Sequence, residues 1–215
     1  MIPEWASERR RMVDQQLVRR GIRDQRVLRA MLEIPREEFV PTEERVLAYR
    51  DDPIHIGFGQ TISQPYMTAL MAEVLGLAGG EKVLEVGAGS GYAAAVLGSL
   101  AATVVTMEFL PWLCDVARAN LHRAGRAGNI TVVCGDGSLG YPEMAPYDAI
   151  SVAAGAPEIP ASLLRQLADP GRLVIPVGER DDQELRVVEK ANGRIDFRVA
   201  TLCRFVPLRG NEGWG

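Results

Sequence analysis

Short apolar runs and longer stretches with apolar residues every three or four positions alternate along most of this chain. The short runs predict strands at 82–86, 103–108, 130–134, 147–152 and 172–176; the longer stretches predict helices at 92–100, 113–124 and 161–167. Upstream, a helix is expected over 5–20, with Trp5, Met12, Val13 and Leu17 on or near one face and Gly21 closing it. Asp24 can cap a second helix over 26–34, which Pro35 ends. A short third helix starts at 41–44, a loop covers 56–65, and a helix follows at 66–75. Near the end, 185–190 and 194–201 meet at Ala191-Asn192-Gly193, a hairpin signal, and 204–208 can add a last strand. Alternating strands and helices predict an α/β fold: a doubly wound, mostly parallel sheet with N-terminal helices and an antiparallel C-terminal edge.

Composition narrows this picture. With 215 residues, 47% of them hydrophobic, 1–215 is read as one domain with a full core. The formal charge of −4 argues against a nucleic-acid binder driven by phosphate attraction. The cluster Arg9, Arg10, Arg11, Arg19 and Arg20 is read as a solvated helix face. Cys114, Cys134 and Cys203 lack metal or redox spacing, so Cys114 and Cys134 are expected as small buried hydrophobes in a reducing cytoplasm. No metal, membrane span or secretory leader is expected, and the chain is expected to act as a monomer.

The most informative chemistry lies at 83–92, Val-Leu-Glu-Val-Gly-Ala-Gly-Ser-Gly-Tyr. A strand that runs into alternating glycines and then a helix offers free backbone N–H groups with no Cβ in the way of a ligand. The dinucleotide pattern G-x-G-x-x-G fails because Tyr92 holds its sixth position, so an NAD-dependent oxidoreductase is disfavoured. The pattern present, Glu85-x-Gly87-x-Gly89-x-Gly91, points to S-adenosylmethionine, with Glu85 near its amino group. Glu108 ends the next predicted strand and suits the ribose hydroxyls. Gly135-Asp136-Gly137 ends the third, where Asp136 can accept from the adenine amino group. Together these make the sheet a Rossmann-like methyltransferase core.

Ahead of that core, the loop at 56–65 is rich in Gly, Thr, Ser and Gln, so it either caps the following helix through Ser63 or binds a ligand. Gly59-Gln60-Thr61-Ile62-Ser63-Gln64-Pro65-Tyr66 resembles the signature of the protein-L-isoaspartate O-methyltransferases. Ile34-Pro35-Arg36-Glu37-Glu38-Phe39-Val40-Pro41 upstream, the glycine motif, Gly135-Asp136-Gly137, the 145–150 and 159–167 segments, Gly171–Gly178 in outline, and Arg204-Phe205-Val206-Pro207-Leu208 follow the family in order. The likeness runs from about 5 to 208.

That resemblance implies repair of damaged proteins and peptides by methylation of the free α-carboxylate of L-isoaspartyl residues. It makes 1–65 a helical cap with an active-site loop, and 66–215 the cofactor core. Ser63 is then expected to hold the substrate carboxylate, helped by Thr61, Ile62 and Gln64. Two positions depart from the family. Gly155 is expected to alter the floor of the substrate cleft, and His55 stands where an apolar residue is usual. Two alternatives share the same cofactor site: a carboxyl methyltransferase for a specific peptide or small acid, and a catalytically silent cofactor binder.

Overall fold

The computed structural model describes residues 4–214. The chain start at Met1-Ile2-Pro3, where no leader was expected, lies outside the described residues. Seven strands form the central sheet: β3 (Lys82–Val86), β4 (Thr103–Glu108), β5 (Ile130–Cys134), β6 (Tyr147–Val152), β7 (Leu167–Gly178), β8 (Gln183–Ala191) and β9 (Arg194–Cys203). Their order is β5-β4-β3-β6-β7-β8-β9. The first four neighbouring pairs are parallel, and β7–β8 and β8–β9 are antiparallel. The expected architecture is therefore present. The β8–β9 turn carries Asn192 and Gly193 at φ 53° and 74°, the left-handed pair that a tight hairpin requires.

Each central strand buries both faces, which explains why its run is mostly apolar. Val83, Val104, Ala149 and Val174 pack under helices on one face, and Leu84, Val105, Ile150 and Leu173 belong to the core on the other. The first face is covered by α1 (Trp5–Met12), α2 (Gln25–Glu33), α3 (Pro65–Leu75), α4 (Tyr92–Gly98) and α5 (Pro111–Arg123); Leu163 of α6 (Ala161–Gln166) enters the second. Asp24 caps α2 by accepting from the backbone N–H groups of Arg26 and Val27. Ile34 leaves the helix in an extended conformation, as a residue before proline prefers.

Three elements differ from expectation. The helix over 5–20 is broken into α1, a π turn at Val13–Leu17 and a 3-10 turn at Val18–Arg20 before Gly21 closes it at φ 102°. The loop at 56–65 contains a hairpin, β1 (Ile54–Gly57) with β2 (Gln60–Ile62), which was missed because both strands are so short. The segment 204–208 is not a sheet strand. It instead crosses the sheet end, where Gly155 N–H donates to Val206 O and Leu208 N–H donates to Gly155 O, both at 2.8 Å.

Other expectations also need correction. Cys114 is buried, but Cys134 is exposed because β5 is the outer strand, and the two are joined in a disulfide with Cα atoms 6.0 Å apart. The arginine cluster is only partly solvated: Arg9 is held by Tyr49 and Glu37, and Arg20 stacks on Tyr66 while pairing with Asp51. No described helix is long and apolar enough to cross a membrane.

Candidate active site

The glycine turn between β3 and α4 sets one wall of the site. Gly87, Gly89 and Gly91 all sit at positive φ (94°, 53° and 89°), which other residues reach only with strain. The turn is pinned from beneath, because Gly87 and Ala88 N–H groups both donate to Met107 O at the end of β4. Glu108 then turns its carboxylate over the loop. Its Oε2 accepts from Gly89 N–H at 2.9 Å, and its Oε1 accepts from Leu110 N–H at 3.0 Å. Each oxygen keeps a lone pair for a ligand hydroxyl. Gly87, Gly89, Glu108 and Gly137 line one cavity. At Gly137 an added Cβ would lie 2.6 Å from Val86, so only glycine fits there.

Two acids expected at this cavity stand elsewhere. Glu85 is fully buried behind the turn, on the strand face packed by helices, and does not line the cavity. Thr106 Oγ1 donates to its Oε2 at 2.5 Å, and Oε1 has no partner among the described residues. Burial pushes its carboxyl up to about 8, so it is largely protonated at neutral pH. Asp136 is turned toward the C-terminal segment. It accepts from Ser138 N–H and Oγ–H at 2.9 and 2.6 Å, and from Asn211 N–H at 2.8 Å. Gly135 stays beside Glu108, donating to its carbonyl at 2.9 Å. The strand-end spacing that suggested these acids gives their backbone position, but not the direction of the side chain.

A second cleft, of about 330 Å³, contains Ser63, Gln64 and Tyr66 on one side and Leu202 and Arg204 on the other. Thr61, Ala153 and Val206 line both cavities, so the two spaces meet across these three residues. Ile62 is buried, paired with Ile54, and anchors the hairpin instead of facing the cleft. Helix α3 begins at Pro65 after Gln64, with no side-chain cap. Ser63 is therefore not the helix cap, and its hydroxyl makes no hydrogen bond among the described residues. The carbonyl of Ser63, by contrast, is held: Arg36 Nη2 donates to it at 2.8 Å.

Arg36 was not foreseen as a site residue. It is completely buried, its Nε donates to Ala48 O at 2.7 Å, and its guanidinium lies 4.7 Å from the ring centre of Tyr92. The only sequence signal was its place in the family segment Ile34-Pro35-Arg36-Glu37-Glu38-Phe39, where the neighbouring charges gave no hint that it is buried. Gly155 also has a different role from the one expected. A Cβ there would meet the Gln183 side chain at 2.6 Å, and its carbonyl accepts from Trp214 Nε1 at 3.0 Å. It anchors the C-terminal segment and is not among the residues lining the cleft. His55 is exposed on β1, opposite Thr61.

A family model described as protein-L-isoaspartate(D-aspartate) O-methyltransferase matches residues 7–213. The chain belongs to that family. A protein-L-isoaspartate O-methyltransferase of Hyperthermus butylicus is 53% identical over 98% of this chain and 92% of its own. A protein-L-isoaspartate O-methyltransferase 2 of Marinobacter nauticus is 56% identical over 96% and 94%. Among solved structures, one protein-L-isoaspartate O-methyltransferase superposes with a TM-score of 0.83 at 33% identity, covering 95% of this chain and 67% of that one. A Plasmodium falciparum structure described under the same activity, in complex with S-adenosyl-L-homocysteine, gives 0.82 at 28% identity, covering 97% and 100%. Family membership makes the chain an S-adenosylmethionine-dependent methyltransferase, and the pinned glycine turn with its adjoining carboxylate fits that cofactor.

Proposed function

We propose that this chain transfers a methyl group from S-adenosylmethionine to the free α-carboxylate of L-isoaspartyl residues in damaged proteins and peptides. The observation that carries this reading is the junction of the two cavities at Thr61, Ala153 and Val206, with the uncommitted Ser63 hydroxyl in the second. When bound, the cofactor supplies an electrophilic sulfonium methyl. Everything else is positioning by the chain.

A carboxylate has an ordinary pKa near 4 and is ionised at neutral pH, so no general base is required. Ser63 donates its hydroxyl to one carboxylate oxygen and turns the other toward the junction. Backbone N–H groups of 61–64 support the same anion, with Thr61 and Gln64 flanking it. Arg36 fixes the Ser63 backbone from the buried side, and Ala153 leaves room for the approaching oxygen. Glu108 and the glycine turn hold the donor, while Glu85 and Asp136 act behind them, bracing β3 against β4 and the 137 turn against the C-terminal segment. Alignment and removal of water from the anion then supply the rate.

The substrates in this reading are isoaspartyl-containing proteins and peptides, with neither nucleic acid nor membrane as a partner. The setting is a compartment that supplies the donor, which we take as the cytoplasm. Incubation of the enzyme with methyl-labelled donor and a pair of peptides, isoaspartyl and aspartyl at the same position, tests it. Label should enter only the isoaspartyl peptide; equal labelling of both would support the alternative of a less selective carboxyl methyltransferase.

A further inference from the structure

The sulfur bridge between Cys114 and Cys134 closes directly behind the cofactor acid. Cys114 stands in the first turn of α5, where its N–H donates to Leu110 O at 3.1 Å, and Cys134 ends β5. Glu108 lies between them. Cys134 is its register partner on the neighbouring strand, and Cys114 Sγ sits 3.5 Å from the Glu108 carbonyl oxygen. Leu110, in turn, gives its N–H to Glu108 Oε1. The bridge therefore ties β5 to the helix start that orients the Glu108 carboxylate, and neither cysteine lines either cavity.

The two sulfurs are placed for exchange. Their Cα atoms are 6.0 Å apart, inside the span of about 4.4–6.8 Å in which a disulfide closes without moving the backbone. Cys114 is buried, whereas Cys134 is exposed on the outer strand of the sheet. Arg118 Nη2 reaches Cys134 Sγ at 3.5 Å, while its Nη1 pairs with Asp115 at 3.0 Å. A guanidinium beside an accessible sulfur favours the thiolate that exchange requires.

We propose that Cys114 and Cys134 form a reversible thiol–disulfide switch, exchanging with low-molecular-weight thiols and setting the affinity of the Glu108 site for the methyl donor. In the reducing direction a small thiolate attacks Cys134 Sγ. The bond from Cys134 to the incoming sulfur forms as the Cys114–Cys134 bond breaks. Cys114 leaves with the electron pair and takes up a proton. A second small thiolate attacks the incoming sulfur, Cys134 leaves as a thiolate beside Arg118, and a small disulfide departs. Two small thiols are oxidised as one protein disulfide is reduced; oxidation runs the same steps backwards, with the small disulfide as oxidant.

Closed, the bridge fixes Leu110 and Glu108 in the arrangement that leaves a lone pair on each carboxylate oxygen for a ligand hydroxyl. Open, the sulfurs no longer tie α5 to β5, and noncovalent contacts such as Arg118 to Val132 O at 3.0 Å hold the two together. A donor that binds the closed form more tightly stabilises the bridge by the same factor. The switch acts on the cofactor site alone, so it stands apart from the identity of the methyl acceptor.

The test equilibrates the full chain in mixtures of reduced and oxidised glutathione. Alkylation with iodoacetamide after denaturation, followed by mass spectrometry, reads the bridge; calorimetry with S-adenosylhomocysteine on the same mixtures reads the site. Cys114 and Cys134 should be alkylated at the reducing end of the series and joined at the oxidising end. Affinity should be at least about fivefold tighter in the oxidised protein and should follow the disulfide fraction between the two ends. S-adenosylhomocysteine should in turn move the redox midpoint toward the disulfide. Cys134→Ser, a change at an exposed position, should bind with the reduced protein's affinity in every mixture. Cysteines that never pair, an affinity that ignores their pairing, or a C134S protein that still responds to glutathione would overturn the proposal.

Discussion

A fully buried guanidinium, that of Arg36, donates from Nη2 to the carbonyl oxygen of Ser63 at 2.8 Å while its Nε holds Ala48 O at 2.7 Å. The catalytic loop is thereby tied to the helical cap by a planar fork that lysine cannot reproduce. Arg36→Lys should lower kcat about 10–100-fold, since a displacement near 1 Å has that consequence for an aligned reaction. Cofactor affinity should stay within about threefold, because no bond to the glycine turn is lost. Steady-state kinetics with calorimetry separate the two; an equal fall in both would place the defect in the whole fold.

Ser63 itself makes the opposite case. Since α3 starts without a side-chain cap, Ser63→Ala should leave stability within about 0.5 kcal/mol. Its kcat/KM for the carboxylate substrate should fall about 10–100-fold through lost orientation. Thermal melts and kinetics on the same preparation check this, and a loss of about 1 kcal/mol with unchanged kinetics would return Ser63 to the role of a helix cap.

Glu108→Ala removes the carboxylate that meets both Gly89 and Leu110 N–H groups beside the cavity. Calorimetry with S-adenosylhomocysteine should show affinity at least about tenfold weaker, given about 1.5–3 kcal/mol for a hydrogen bond to a charged group. Unchanged affinity in a folded variant would mean the ribose is held elsewhere.

The sheet was legible because β3, β4 and β6 are buried on both faces and announce themselves as short, mostly apolar runs such as Val83-Leu84, Val104-Val105 and Ala149-Ile150. The glycine turn was legible because its geometry demands residues without a Cβ. Side-chain direction was not. Glu85 and Asp136 occupy the expected strand ends, yet Thr106 claims one and the 210–212 segment surrounds the other. Arg36 and the Cys114–Cys134 pair were hidden for the same reason: both depend on contacts between distant segments that no local pattern records. The β1–β2 hairpin escaped because its strands are only a few residues long and its turn, Gly57-Phe58-Gly59, places a phenylalanine at positive φ against Trp112 at 4.8 Å, which no turn pattern announces.

The buried Glu85 carboxyl makes stability depend on pH in a defined direction. Its pKa rises from an ordinary value of 4.5 to about 8 on folding, chiefly through burial. Below 4.5 the group is neutral in both states. Between 4.5 and about 8 the folded state holds a proton that the unfolded state has lost, so stability declines as pH rises through this window and levels off above it. Glu85→Gln should therefore stabilise the protein increasingly from pH 5 to about pH 8 relative to wild type, with the difference constant above that, in thermal melts across the series. A constant difference at every pH would show that Glu85 is ionised in the folded state.

Repair, as distinct from simple methylation, has its own signature. The methyl ester on an isoaspartyl residue carries a methoxy group that leaves far more readily than the oxygen of a free carboxylate, so attack by the adjoining backbone nitrogen on the ester carbonyl expels methanol and closes a succinimide. Hydrolysis then yields aspartyl and isoaspartyl peptides, and only the latter re-enters the site. The most direct measurement follows one isoaspartyl peptide with enzyme and excess S-adenosylmethionine by chromatography, with methanol determined in parallel. The account predicts progressive conversion to the aspartyl peptide with at least one methanol per repaired residue, and no change in an aspartyl control. A stable ester without conversion, or equal methylation of the aspartyl control, would contradict it.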